Sequence, residues 1–175
     1  MSGPGVSILL PQPFSSLETE LIEQTILLIS GELSATDEIP VITTLNVGGS
    51  FAAERRTEAR PFGMSGSVLS ADERDASAAI AQHFGVRHQS QIDVYAFCNA
   101  RVDHQILGEI ALYVALQTPR SLISFGGDLS SYEQIGGRLL SVPYETAWGT
   151  NAVSSYGDVE FLRFWLLHPS FFMVK

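Results

Sequence analysis

The polar residues that most resemble a reactive group in this chain are Asn99, Asp103 and His104, which follow a predicted strand. A histidine beside a carboxylate can transfer protons, and ligands often bind where the strands of an open α/β sheet end. These residue types also have a structural use, because Asn and Asp satisfy backbone amides in turns and at helix N-termini. The sequence favours the structural use and leaves a small enzyme site at these residues as the alternative function.

Other kinds of reactive site have weaker support. The Gly-Gly pairs, such as Gly48-Gly49, belong to neither of the glycine motifs that bind phosphate. The 4 histidines form no His-Glu-x-x-His pair, so we expect no metal and no cofactor. Cys98 lies on the apolar face of a predicted strand together with Ile92, Val94 and Ala96, which is typical of a small core residue rather than a nucleophile.

Apolar alternation and helical spacing predict the elements that position these residues. Ser15 and Ser70 are each followed three residues later by Glu, the capping-box pattern of a helix start. Helices are predicted over 16–33, from Ser70 to a stop at Gly85, over 104–117 behind an Asp103 cap, and after Asp158. Strands are predicted at 6–10, 41–47, 62–69, 91–99, 122–125, 139–144 and 171–174. A charged loop or ragged strand edge at 52–60, a flexible polar stretch up to Gly137, and a loop over 145–157 complete the chain.

Helices and strands alternate along the whole chain, which indicates a layered α+β or α/β fold. We expect one mixed sheet packed with about four helices. The chain has 175 residues, the length of one domain, and no internal repeat or disordered linker divides it. The predicted organisation is therefore a single domain over residues 1–175.

The charge of the chain excludes several classes of partner. Its formal net charge is −9, so phosphate neutralisation, which dominates binding to nucleic acids, is unfavourable. An anionic membrane surface is disfavoured for the same reason. We find neither a signal peptide nor an apolar run of the roughly 20 residues that span a bilayer. These features predict a cytoplasmic protein that binds no nucleic acid and no membrane.

The acidic residues are concentrated in the first third of the chain, where no Lys or Arg precedes Arg55. Such a surface would steer a basic partner toward the protein. Glu18 is explained by its capping box. Four acidic residues have no such local explanation and are the predicted partner-binding residues: Glu20, Glu23, Asp37 and Glu38. Three aromatic residues of the later Gly-rich loops are the next candidates: Tyr132, Trp148 and Tyr156.

Part of the sequence resembles a group of small bacterial proteins. The similarity lies in Asp103-His104-x-Ile106-Leu107-Gly108-Glu109, in Gly126-Gly127 and in the tail from Trp165 to Lys175, and it covers mainly residues 90–175. Proteins of this kind resemble the immunity proteins encoded beside polymorphic toxins. The resemblance implies a cytoplasmic antidote that binds and blocks one cognate toxin domain. Because the sequence assembles no nucleophile, base or metal set, we further expect the protein to have no catalytic turnover of its own.

Overall fold

The computed structural model describes residues 3–30, 34–36, 39–42, 62–146 and 148–173, with the backbone alone at 27–30, 34–36 and 39–42. The strands are β1 Gly5–Leu10, β2 Ser34–Thr36, β3 Ile39–Ile42, β4 Phe62–Val68, β5 Ser90–Ala96, β6 Leu122–Ser124, β7 Leu139–Glu145 and β8 Asn151–Gly157. The helices are α1 Ser16–Ser30, α2 Ala71–Phe84, α3 Arg101–Gln117 and α4 Val159–Leu167, with a 3₁₀ helix at Ser130–Ile135.

All of these strands belong to one 8-stranded sheet in the order β2-β3-β4-β5-β1-β6-β8-β7. The α+β class and the number of helices are confirmed. The expected mixed sheet is wrong, because every pairing among the described strands is antiparallel. The central strand β1 pairs with β5 and β6, so no helix joins two parallel neighbours as it does in a βαβ unit.

The two faces of the sheet carry cores of very different size. Alternate residues of β1 and β5 pack into the main core with α1, α3 and α4, among them Ile8, Ile92 and Val94. The intervening residues face α2, where a smaller apolar cluster joins Leu9 and Tyr156 to helix residues such as Ile80. Because successive side chains of a strand point to opposite faces, a polar residue in β1, β5 or β6 can lie beside α2 without disturbing the main core.

The predicted helix boundaries are confirmed at three places. Ser70 Oγ accepts a hydrogen bond from Glu73 N at 3.3 Å, and Gly85 ends α2 with a positive φ of 74°. Asp158 caps α4 by accepting from Phe161 N at 2.8 Å. The cap expected at Asp103 is wrong: α3 already begins at Arg101, and the Asp103 carboxylate accepts from Ala100 N at 2.6 Å from inside the first turn.

Three further predictions differ from the structure. Residues 151–157, expected in a loop, form β8, whose polar residues Ser154 and Ser155 are buried. The hydroxyl of Ser155 accepts from Leu129 N at 2.8 Å, so its partner lies far away in sequence. Residues 130–135 form the 3₁₀ helix rather than an irregular stretch, and 171–173 form no strand. The strand predicted at 41–47 is observed as β3 up to Ile42, and its remainder and residues 52–60 lie outside the described residues.

The last helix is held in the core by its tryptophan. Trp165 is 0% exposed, and its Nε1–H donates to the carbonyl oxygen of Phe172 at 3.1 Å. Met173 is buried as well, and the ring of Phe171 lies against Gly108 of α3. The segment after α4 therefore packs against α3 and α4 at the main core.

We expect Trp165→Ala to lower the free energy of unfolding by about 3–5 kcal/mol, because it empties a fully buried site and removes a hydrogen-bond donor. Leu167→Ala on the same helix is the matched control. Its side chain is 84% exposed, so its effect should stay within about 0.5 kcal/mol. Urea unfolding followed by circular dichroism measures both, and similar effects from the two variants would contradict this packing.

Candidate functional site

The candidate site is a groove on the face of the sheet that α2 covers. It consists of two cavities of about 240 and 290 Å³, which share Asp72, Tyr144 and Ser154 and therefore adjoin. We call it the α2 groove. Five carboxylates line it: Asp72, Glu73, Asp75, Asp93 and Glu145. Neither cavity is lined by a Lys, Arg or His among the described residues.

The start of α2 is fixed in place by a chain of hydrogen bonds from β5. Ser70, the residue that caps α2, donates its N–H to Gln91 Oε1 at 2.9 Å. Gln91 Nε2 donates in turn to Asp93 Oδ1 at 2.7 Å, and Ser7 Oγ of β1 donates to the same oxygen. These bonds hold the first turn of α2 above β5 and β1, which places Asp72 and Glu73 at the groove.

Glu73 is the most enclosed carboxylate of the groove, with 9% of its surface exposed. Its Oε1 accepts a hydrogen bond from Ser124 Oγ of β6 at 3.0 Å. Burial raises the pKa of Glu73 above its ordinary value; the bond from Ser124 opposes the rise, and the negative charges of Asp72 and Asp93 add to it. The groove therefore holds a carboxylate in surroundings that disfavour its charge.

A tyrosine lines the second cavity of the groove. Tyr156 is buried, and burial raises the pKa of its phenol, as do the nearby charges of Glu73 and Asp72. Hydrogen bonds with Ser154 and Ser124 work in the opposite direction. The phenol thus remains a neutral hydrogen-bonding group at physiological pH.

Carboxylates and hydroxyls without a neighbouring cation can accept hydrogen bonds and attract a positive charge. The hydroxyls of Ser7 and Ser124 donate to carboxylates, so neither is set against a histidine as an activated nucleophile would be. The described residues contain no group of three His, Cys, Asp or Glu side chains placed to hold a metal ion. The arrangement is suited to binding a cationic group.

The structure disperses the partner-binding residues predicted from the sequence. Tyr156 lines the groove, and Trp148 is 90% exposed at the turn between β7 and β8. Tyr132 packs against Trp165 with ring centroids 4.5 Å apart, in the main core. Glu20 and Glu23 are exposed on α1, the helix that packs on the opposite face of the sheet. Asp37 and Glu38 lie outside the described residues.

The groove carboxylates were not predicted as a site. The sequence assigns Glu73 to a capping box with Ser70 and Asp93 to the polar face of β5. The assignment of Asp93 is correct. Only the Ser70 half of the capping box forms, because the Ser70 N–H donates to Gln91 and the Glu73 carboxylate accepts from Ser124 instead. The residues that approach these carboxylates come from β1, β6 and β7, far away in the chain. The sequence feature that could have indicated the groove is the polar face of β5. A strand with one polar face can leave that face partly exposed to solvent.

Asn99, Asp103 and His104, the residues of the alternative enzyme site, make hydrogen bonds that stabilise the fold. Asp103 is buried and accepts from Ala100 N. His104 Nδ1 accepts from Met173 N at 3.0 Å, and the other ring nitrogen, Nε2, lies 3.0 Å from Asn99 Oδ1, to which it can donate. None of these three residues lines either cavity. Together they fix the start of α3 and the segment that follows α4.

Comparison with known proteins identifies a family. The model of a family of unknown function (DUF6368) matches residues 2–175. No curated protein and no solved structure matches the chain. Within the described part of the chain, no helix is long and apolar enough to cross a membrane.

We expect Glu73→Gln to stabilise the protein at pH 7 by about 0.5–2 kcal/mol, because it removes a buried charge and keeps an acceptor for Ser124. The folded-state pKa of Glu73 is raised above the ordinary value of 4.5. The carboxylate therefore contributes most to stability below that value, and this contribution is lost as pH rises through the folded-state pKa. At pH 4 the variant should match the wild type.

Denaturant unfolding at the two pH values measures this difference. Asp75→Asn is the control, because Asp75 is an exposed carboxylate of the same helix and its change should stay within about 0.5 kcal/mol. If Glu73→Gln lowered the free energy of unfolding at both pH values, the Glu73 side chain would be a favourable group in the fold, and the expected cost of its buried charge would be contradicted.

We expect His104→Ala to release the amide of Met173, which then exchanges with solvent at least about tenfold faster. Hydrogen–deuterium exchange of residues 171–173 measures the release. His83→Ala, at an exposed position on α2, should leave that exchange unchanged. Exchange that stayed slow in His104→Ala would contradict the role of this hydrogen bond in holding residues 171–173.

Proposed function

The chain belongs to the family of unknown function DUF6368, and we propose that it is an immunity protein that acts by binding. It occupies a basic surface of a cognate bacterial toxin domain and blocks it, without catalytic turnover. It acts in the cytoplasm, where such a toxin would meet its target. The resemblance of residues 90–175 to immunity proteins supports the class, and the α2 groove supports the mode of action.

The observation that carries the proposal is the charge of the α2 groove. Five carboxylates line its two cavities, and no cation among the described residues lines them with these groups. With a formal net charge of −9 on the whole chain, such a groove attracts a basic surface over a long range. Toxins that act on nucleic acids or nucleotides present basic clefts of this kind, so a groove of opposite sign is suited to them.

An aromatic residue beside the groove supports a protein partner. Glu145 lines the groove at the end of β7, and Trp148 follows it in the turn to β8 with 90% of its surface exposed. Tryptophan is enriched among the residues that dominate the energy of protein interfaces. The turn thus offers an apolar anchor next to the negative charges.

The test uses the toxin-bearing open reading frame that we expect beside the gene of this chain. Expression of that toxin alone should stop growth, and co-expression of this chain should restore it. Purified toxin should lose activity in proportion to the chain added and be fully inactivated only at about one equivalent, because a blocking protein is consumed by the complex it forms. The two proteins should co-elute as that complex.

Two outcomes would contradict the proposal. Full inactivation of the toxin by about one-tenth of an equivalent would indicate an enzymatic antidote with turnover. Protection of cells without any complex between the purified proteins would exclude blocking. A chain with Trp165→Ala serves as the control for unfolding, since it loses stability without touching the groove.

A further inference from the structure

We propose that two copies of this chain pair through the free edge of β7, so that their sheets join into one continuous sheet across a two-fold axis. The pairing involves this chain alone and is independent of the proposed function. Its basis is a row of backbone hydrogen-bonding groups that β7 leaves unpaired.

β7 ends the strand order of the sheet, with β8 as its one neighbour among the described strands. At the two ends of the β7–β8 hairpin, Asp158 N donates to the carbonyl oxygen of Arg138 at 3.1 Å, and Thr146 N donates to that of Thr150 at 2.9 Å. The backbone groups of successive residues in a strand face opposite sides. Because the register between these ends is unbroken, the even-numbered residues of β7 bond to β8 and the odd-numbered residues face outward.

The outward edge offers both N–H and C=O groups at Leu139, Ser141 and Glu145, and a carbonyl oxygen alone at Pro143. Within the described part of the chain, no hydrogen bond engages these outward groups. Proteins protect free edges with lysine, proline or a bulge, because unpaired groups at this spacing bind another strand. β7 has a single proline, no bulge in its register with β8 and no charge before Glu145. The edge therefore selects an extended backbone as its partner.

A second copy of β7 fits this edge by symmetry. Two identical strands that pair antiparallel are related by a two-fold axis perpendicular to the sheet, and two-fold contacts of this kind are the commonest in oligomers. Residues 139–144 are uncharged, so two chains that each carry a net charge of −9 meet there without like charges opposite each other. The contact uses the edge of both copies and therefore stops at two chains.

The helix beside the edge adds charge complementarity. Asp72 and Asp75, at the start of α2, line one cavity with Tyr144, near the end of β7. At the other end of α2, the guanidinium carbon of Arg138 lies 4.9 Å from the ring centroid of Phe84. α2 thus runs antiparallel to β7, and the two-fold axis places both copies of α2 on the same face in opposite directions. The acidic start of one α2 then lies across from the exposed Arg138 of the second copy, which favours association.

Analytical ultracentrifugation of the full chain over a dilution series tests the pairing. We expect the mass of two chains at the highest concentrations and of one chain after dilution, with no larger species. Ser141→Pro removes the outward N–H in the middle of the edge and should weaken the dimer at least about tenfold. Ser141→Ala is the matched control: it loses the same hydroxyl contact with Ser155 at 2.9 Å but keeps the N–H, so the dissociation constant should change by less than about twofold.

Two further variants change the dimer in ways that unfolding cannot imitate. Pro143→Ala returns the missing N–H and should tighten the dimer at least about threefold. Arg138→Glu should weaken it at least about threefold, and adding Asp75→Arg to that variant should restore the loss, because the two facing charges again have opposite signs. Circular dichroism checks that each variant is folded.

A mass of one chain at every concentration would overturn the proposal. A dimer that Ser141→Pro and Pro143→Ala both leave unchanged would also overturn it, because another surface would join the two chains. If the chain were single on its own and Ser141→Pro weakened its complex with the toxin, the edge would belong to a strand of the toxin and the second copy would be overturned. The proposed function is decided separately by toxin inactivation, so a dimer without protection would leave the paired edge standing.

Discussion

The structure depends on the alternation of side chains in the two central strands. In β1 and β5 one set of residues is apolar apart from Ser90 and is buried by three helices, while the other set mixes Leu9 with Ser7, Gln91 and Asp93. The first set forms a core large enough to fix the sheet. Because that core holds the strands, the second face can remain polar and can be covered by one helix. The α2 groove is the space that this uneven cover leaves.

The groove also contains a buried carboxylate, that of Glu73, whose charge is unfavourable for stability. Ser70 caps α2 by accepting from the backbone N–H of Glu73, and the side chain of Glu73 is largely buried and accepts from Ser124. A glutamine would satisfy the same hydroxyl without the charge. A carboxylate retained where its charge is disfavoured is common at sites that bind or react. This is the physical reason for proposing an interaction site there rather than at Glu20 and Glu23 of α1, which are exposed.

Much of the local structure could be predicted from the sequence, and the site could not. Ser70 and Asp158 mark helix starts by residue type, and Gly85 marks a helix stop, because these signals act within one turn of the chain. β8 was missed because its buried serines have partners in distant segments, such as Leu129 for Ser155. The groove was missed for the same reason: Asp93, Ser124 and Glu145 are 21 or more residues apart and meet only through the antiparallel order of the sheet.

The two tryptophans of the chain occupy opposite environments. Trp165 lies in the main core among other aromatic rings, whereas Trp148 projects into solvent beside the groove. Indole emission shifts to the blue when water is excluded, so the two residues form a pair of natural optical reporters. The short-wavelength component follows the integrity of the fold, and the long-wavelength component follows whatever approaches the turn between β7 and β8. Unlabelled protein can thus distinguish an encounter at this surface from a loss of structure in a single spectrum.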